Sequence, residues 1–388
     1  MEENLAKIKE KWSKVLAEQP TQQEQQMAYF ALGMLAYQEQ QFRQALSFLL
    51  PLWEMAPNHL GVAKLIACSY LELQNDEQAL LWCDQLIKLN SNEGVAHYNR
   101  GVVLARLNQE VLAREAFLRA IHLDPSYIDA YLNLAALALK NRDTLLAKQY
   151  YREICRVDVH NEIARYMLAA LDENQMLVKA PLEYVEQLYE GYANHYEQQM
   201  LGVLDYQAPK VLLDCLKKYS GVEKARWRTL DLGCGTGLVS DCFSDFYSEI
   251  IGVDISSAMI EKAKNKNRYT ALVRKSMEAY LHETDEKFDL IIAADSLIYT
   301  GDLSHLFEGV CRVLNQGAWF IFSIESQEKN KFYLQENGRY AHSIDYIQEI
   351  GQKNKINFSG AKEVILRYQE GKPVLGKVVV FHYVKDLK

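Results

Sequence analysis

Apolar positions in the first 170 or so residues fall at helical spacing, and the helices they define recur. Ala45, Ala79, Ala113 and Ala147 stand 34 residues apart, inside FRQALSFLL, DEQALLWCD, EVLAREAFL and DTLLAKQYY. In the same register a second small residue returns as Gly33, Ala67, Gly101 and Ala135, and Pro57 and Pro125 mark turns into the next unit. Two columns of small residues let paired helices approach closely, where a large side chain would wedge them apart. The pattern predicts four helix pairs at about 26–59, 60–93, 94–127 and 128–161, stacked in sequence. Helices near 4–17 and 162–172 would cover the ends of the stack.

After Pro181 this period is lost and the chain alternates apolar strand, turn and helix. Strands are predicted at 228–232, 249–253, 270–274, 288–294, 317–324, 362–368 and 376–384, with helices between the first five. Such alternation means a mostly parallel, seven-stranded sheet covered on both faces. The last two runs, joined through Gly371, Lys372 and Pro373 in EVILRYQEGKPVLGKVVVFHYV, predict an antiparallel last strand. The expected division is an all-α repeat domain over 1–174 and an α/β domain over 175–388, the latter opening with a helical lid or connector, 175–219, before a core at 220–388.

Chemistry enters at RTLDLGCGTGLVS, residues 228–240. Gly233, Gly235 and Gly237 follow a strand directly and precede a helix, at the carboxyl edge where α/β sheets bind ligands. Glycine there admits positive φ and lets a ligand lie against bare backbone. A dinucleotide fingerprint would place its third glycine at 238, which is Leu238, so that fit is poor. Asp254 closes the next strand about twenty residues on, where a carboxylate can accept both hydroxyl hydrogens of a ribose.

The pattern D-x-G-x-G-x-G, with KFDLIIAADSLIY as a fourth strand and LNQGAWFIFSIE turning into a fifth, resembles the S-adenosylmethionine site of Rossmann-like methyltransferases from about 184 to the C-terminus. The resemblance implies that Gly233, Cys234, Gly235 and Gly237 carry the methionine part of the cofactor and that Asp231 helps to bind or position it. It implies also that Asp254 holds the ribose and that Ile255 and Met259 line the adenine. Where the family often has Asp after the third strand, this chain offers Ser276 or Glu278, or a backbone amide near Met277. The 34-residue units resemble tetratricopeptide repeats, a resemblance that implies a curved right-handed array; such repeats usually bind an extended or helical peptide, and Asn99 and Asn133 are the candidates for holding its backbone. More narrowly, YEGYANHYEQQML, LDYQAPKVL, AADSLIYTGDLSHLF and GRYAHSIDYI are similar to bacterial predicted methyltransferases carrying such repeats at the N-terminus. The reading implied is methyl transfer to a protein or carrier-bound acceptor recruited by the repeats. Two others are a small-molecule methyltransferase that oligomerises through them, and an assembly adaptor with a non-catalytic cofactor domain.

A sulfonium already activates its methyl group, so the protein needs no metal and has chiefly to align the acceptor and take any released proton. Beyond the strand ends the residues to watch are Asp295, Tyr299, Glu325 and 339–346. Arg339 could fork onto a carboxylate, His342 could act as general base, Asp295 could meet the cofactor or cap a helix, and Tyr299 could face the reaction or pack. Tyr189, Tyr192 or Tyr196 could close over the methionine end. ADSLIY lacks the N-P-P-Y or D-P-P-Y of amide and base-amino N-methylation.

Composition narrows the partners. The 388 residues are 49% apolar and 24% charged, with a formal charge of −8 and seven scattered cysteines without a C-x-x-C. That balance argues against general nucleic-acid affinity and against a cysteine metal site, and suits reduced thiols in a cytoplasm. The start, MEENLAKIKEKW, reads as an amphipathic helix rather than a secretion signal, and no apolar run reaches membrane-span length.

Overall fold

The computed structural model describes residues 2–18, 20–172, 177–193, 196–328, 330–369 and 372–384. The chain divides into two compact units, Met1–Ala164 and Arg165–Lys388. The boundary expected at 174/175 lies outside the described residues.

In the first unit, helices Gln22–Gln38 and Phe42–Met55, Leu60–Glu72 and Asp76–Leu89, Gly94–Arg106 and Glu110–Leu123, and Ile128–Lys140 and Thr144–Val157 form four successive hairpins. The second helix of each pair starts 34 residues after the one before it. Ala45, Ala79, Ala113 and Ala147 are all fully buried. A Cβ on Gly33 would lie 2.7 Å from the Leu49 side chain, and one on Gly101 would lie 2.6 Å from the Phe117 ring. The small-residue columns are therefore helix contacts, and enlarging either glycine must push a hairpin open. Each hairpin also turns the same way. Gln40, Gln74, Asn108 and Arg142 have positive φ, and the next amide reaches back to the carbonyls of Ala36, Tyr70, Leu104 and Ala138 at 2.8–3.0 Å. This closure uses carbonyls that a helix end leaves open. Asn99 points its amide at the Cys68 sulfur, 3.8 Å away, and Asn133 donates to the Asp129 carbonyl at 2.8 Å. Helix Glu2–Ala17 precedes the hairpins, and helix Glu162–Leu171 runs across the division between the units.

The second unit is built on one mixed sheet: β1 (Trp227–Leu232), β2 (Tyr247–Asp254), β3 (Ala271–Arg274), β4 (Phe288–Ala293), β5 (Leu314–Ser326), β6 (Phe332–Leu334), β7 (Tyr340–His342), β8 (Asn357–Gln369) and β9 (Lys372–Tyr383). Strands β3, β2, β1, β4 and β5 lie side by side and parallel; β9 runs antiparallel beside β5, and β8 antiparallel beside β9. The central strands are buried on both faces, which is why they read as continuous apolar runs. Along β4, Leu290 and Ile292 join Trp319, Ile321, Val378 and Val380 under helix Ala208–Ser220. Ile291 and Ala293 join Leu230, Phe320, Phe322 and Phe381 on the opposite face, against helices Ser304–Val313 and Ile344–Lys353. Period-two alternation thus assigns each side chain to one of two cores.

The sheet has nine strands, not the expected seven. Short β6 and β7 pair with each other, and β7 extends the carboxyl end of β5 through Glu325–Ala341 and Ser326–His342 pairing. Three residues are too few to display a period, so FYL and YAH pass unnoticed in the sequence. Strands β8 and β9 begin five and four residues earlier than the apolar pattern suggests, their register absorbed by irregularities at Phe358/Gly360 and Ile365/Arg367. Gly371 of the expected turn lies outside the described residues. Among the described residues, no helix is long and apolar enough to cross a membrane.

Candidate active site

At the carboxyl ends of β1, β2 and β4 lies a cleft open to solvent. Its floor is the glycine loop, whose Gly233 and Cys234 amides donate to the Val253 carbonyl at 2.8 and 3.0 Å, folding the loop over the end of β2. Gly233, Gly235 and Gly237 all have positive φ. At Gly233 the need is also steric: a Cβ would sit 2.4 Å from the Cβ of Ser296, whose hydroxyl donates to the Leu232 carbonyl at 2.8 Å. Asp254 accepts from the Gly235 amide at 2.8 Å and the Ser256 amide at 2.9 Å, one bond per oxygen. Burial raises its carboxyl above the usual range against its bonds from the Ser256, Gly235 and Ile255 amides, with Glu190 adding to the rise. A carboxylate has about four acceptor sites, so these amides leave room for a ribose hydroxyl. Asp231 is fully buried beneath the loop; one oxygen accepts from the Tyr269 hydroxyl at 2.7 Å and the other has no partner. Burial pushes this carboxyl up to about 7, with the nearby Asp254 adding to the effect and the Tyr269 bond opposing it.

The cleft is roofed by the chain before the core. Lys179 bridges Thr300, the Ala180 amide donates to the Tyr299 carbonyl at 2.9 Å, and helix Leu182–Tyr192 follows. Glu190 fastens that helix by accepting from the Ser257 amide and hydroxyl at 2.6 and 2.9 Å and the Ala258 amide at 3.2 Å, at the start of helix Ser257–Asn265. Burial works against the charge, yet these bonds hold its carboxyl below the ordinary range. Arg274 pairs with Glu186, and Lys179 with Glu278, along the same roof.

A second cavity shares Tyr189, Tyr196, Asp295 and Tyr299 with the first. Tyr184, Tyr192, Met200, Asn337, Arg339 and Arg367 complete much of its wall. The Tyr189 hydroxyl lies 3.4 Å from that of Tyr299. Arg367 is almost wholly buried and grips both oxygens of Asp295 at 2.9 and 2.7 Å, while its other nitrogen pairs with Glu325. The second oxygen of Glu325 accepts from Gln335 at 2.6 Å, and Arg339 approaches Glu325 at 3.6 Å. Two arginines and two carboxylates thus balance in one buried network. Asp295 itself is held at φ 54, in the left-handed region, with its amide donating to Ser323 at 2.7 Å.

Of the residues singled out in the sequence, Gly233, Gly235, Asp254, Ile255, Ser276, Met277, Glu278, Asp295 and Tyr299 line the first cleft. Tyr189 and Tyr196 line both cavities, and Tyr192 and Arg339 the second. Asp231, Cys234 and Gly237 are on neither wall: Cys234 and Gly237 belong to the loop but not to its lining face, and Asp231 is buried beneath it. Met259 belongs to the core, fully buried on helix Ser257–Asn265 and absent from the cleft. His342 is displaced from the proposed role as base. It is 1% exposed, lines neither cavity, and its Nε2–H donates to the Thr300 and Gly301 carbonyls at 2.9 and 3.1 Å. Burial drops its imidazole to about 4, so it stays neutral and structural. Sequence reasoning passed over Arg367, Glu190, Lys179 and Ser296. Only Arg367 left a signal, a charge interrupting the apolar run VILRY.

The family profile described as "Methyltransferase domain" matches residues 230–322. A 169-residue stretch is 27% identical to the Saccharomyces cerevisiae "Probable S-adenosylmethionine-dependent methyltransferase CRG1", covering 40% of this chain and 53% of that protein. Another of 128 residues is 34% identical to a malonyl-[acyl-carrier protein] O-methyltransferase of Legionella pneumophila, covering 31% and 45%. The chain spans about half the length of these curated relatives. Among solved structures it is similar to the N-methyltransferase NodS of Bradyrhizobium japonicum in complex with S-adenosyl-L-homocysteine, at 16% identity and a TM-score of 0.43, over 52% of this chain and 98% of that one. Residues 230–322 thus match a methyltransferase domain, within a chain that is similar to S-adenosylmethionine-dependent methyltransferases.

Proposed function

We propose that the protein transfers a methyl group from S-adenosylmethionine to an acceptor seated in the Arg339 cavity, and that the tetratricopeptide-like repeats bring a protein or carrier-bound acceptor to it. The observation that carries this reading is the shared wall: Tyr189, Tyr196, Asp295 and Tyr299 border a cleft with a ligand-accepting glycine loop on one side and an arginine-bearing cavity on the other. Glycine backbone laid bare on the cleft floor and an Asp254 carboxylate with acceptor capacity to spare suit a ligand bearing a diol. When bound, the cofactor supplies a methyl group activated by its sulfonium. The chain's own residues would hold the ribose through Asp254, cover the site with helix Leu182–Tyr192 and orient the acceptor between Arg339 and the tyrosines.

A carrier-bound acceptor draws support from the Legionella relative, whose name specifies an acyl-carrier protein. A cytoplasmic setting accords with seven cysteines that are all free thiols. The test is transfer of labelled methyl from S-adenosylmethionine into a fractionated lysate. Label should enter acceptor with the parent chain and not with Asp254→Ala. Replacing Asn99 and Asn133 together by Ala should raise the acceptor's KM with kcat unchanged if the repeats recruit it; an unchanged KM would remove the recruiting role.

A further inference from the structure

The charges around the second cavity are unequally engaged. Arg367 is consumed by Asp295 and Glu325, and the remaining Glu325 oxygen is taken by Gln335. Arg339 is different. Its Nη1 is buried without a hydrogen bond and meets Glu325 only at 3.6 Å, although the residue lines the cavity. With a quarter of its side chain exposed to the cavity and only this long contact to Glu325, the guanidinium keeps donor capacity that an anion there could engage. The tyrosine hydroxyls beside it are donors too, because burial lifts Tyr189 and Tyr196 well above their ordinary range. Among the described lining residues, no free carboxylate or imidazole faces this space.

We propose that the methyl acceptor is a carboxylate with an apolar or aromatic body, held by Arg339 and methylated on oxygen. This rests on the methyltransferase reading and narrows it. A phenol, alcohol or ammonium must give up a proton before or during attack, and the cavity wall offers no unengaged base to take it. A carboxylate arrives already ionised. One of its oxygen lone pairs forms the O–CH₃ bond, the S–CH₃ bond breaks, and its electron pair stays on sulfur. A −1 acceptor and a +1 donor give a neutral ester and a neutral thioether, with no proton to place. The tyrosine walls suit the apolar body, and Arg339 discriminates the charge.

The test uses the full chain saturated with S-adenosylhomocysteine and titrated calorimetrically with benzoate, phenylacetate and octanoate, each against its neutral amide. At least one acid should bind ten or more times tighter than its amide. Arg339→Met should abolish that preference while leaving the affinity for S-adenosylhomocysteine unchanged. Label transferred to a lysate acceptor should be released as methanol by mild alkali, as methyl esters are. The acid–amide comparison needs no variant, so a poorly folding Arg339→Met leaves the test intact. Equal binding of acids and amides, an acid preference that survives Arg339→Met, or alkali-stable label would overturn the carboxylate assignment and leave methyl transfer standing. Failure of the parent chain to bind S-adenosylhomocysteine would instead overturn the reading on which it rests.

Discussion

Asp231→Asn should make the ligand-free protein more stable at alkaline pH while weakening its hold on the cofactor. The carboxyl is fully buried and titrates at about 7 instead of 3.8, chiefly because burial penalises its charge. A folded-state pKa above the unfolded value means that the folded form prefers the proton. The associated cost is absent below the unfolded pKa, grows as pH rises past 3.8 and is complete above 7. At 1.36 kcal/mol per pKa unit the full cost is about 4 kcal/mol, of which about 1.5 kcal/mol is already present at pH 5. An asparagine can still accept from Tyr269 but never ionises. The difference in unfolding free energy between variant and parent should therefore shift in the variant's favour by about 2.5 kcal/mol between pH 5 and pH 8. Urea titrations of both proteins at four pH values measure it, and any titration common to the two cancels. With S-adenosylhomocysteine at a hundred times its Kd, the parent gains about 2.7 kcal/mol from ligand linkage and the variant gains less. A pH-independent difference between the two proteins would show that Asp231 is not the buried, proton-loving acid described here.

Asp254→Ala should cost about 2 to 4 kcal/mol in affinity for S-adenosylhomocysteine, roughly thirty- to a thousandfold in Kd, and a calorimetric loss under threefold would rule out a ribose contact. Glu190→Gln keeps the shape of the roof anchor but removes its charge from the start of helix Ser257–Asn265; release of S-adenosylhomocysteine by stopped flow should quicken several-fold, and an unchanged rate would show that the helix is not a fastener. For His342, a folded pKa lowered from 6.5 to about 4 means that the unfolded chain takes the proton first. Stability should fall by about 3 kcal/mol as pH drops through that window, His342→Gln should flatten the slope, and a slope that persists would refute it. Arg367→Met strands Asp295 and Glu325 in the interior and should destabilise by about 3 to 5 kcal/mol in urea unfolding; a loss below about 1 kcal/mol would mean that the network is not the buried lock it looks like.

The repeats were legible because close helix packing leaves little choice of residue. A Cβ at Gly101 meets the Phe117 ring at 2.6 Å, and the alanine columns are fully buried, so the steric demand is written directly into the side chains. The turn geometry was not legible. Gln40, Gln74, Asn108 and Arg142 occupy the same left-handed position, and none is the glycine that usually marks it, because tertiary packing of the hairpins dictates that backbone conformation. The same contrast holds in the sheet: strands buried on both faces announced themselves, and β6 and β7 did not.

Of the residues lining the cleft, Gly233, Gly235 and Asp254 are those with a special backbone or a spacing from it set by one strand and one turn. The cavity beside them depends on residues that meet only through the fold. Arg367 on β8 reaches Asp295 after β4 and Glu325 at the end of β5, positions separated by 72 and 42 residues. No local pattern encodes such a meeting. His342 was misread for the complementary reason, since a histidine near the ligand edge looks reactive until its burial and its two carbonyl partners are known. With His342 withdrawn and both carboxylates bound to Arg367, proton removal recedes as a task for this pocket. What remains is an arginine whose Nη1 makes no hydrogen bond and meets Glu325 only at 3.6 Å, beside Tyr189 and Tyr196, which hold their protons. The specificity of the site then turns on the charge that the acceptor brings with it.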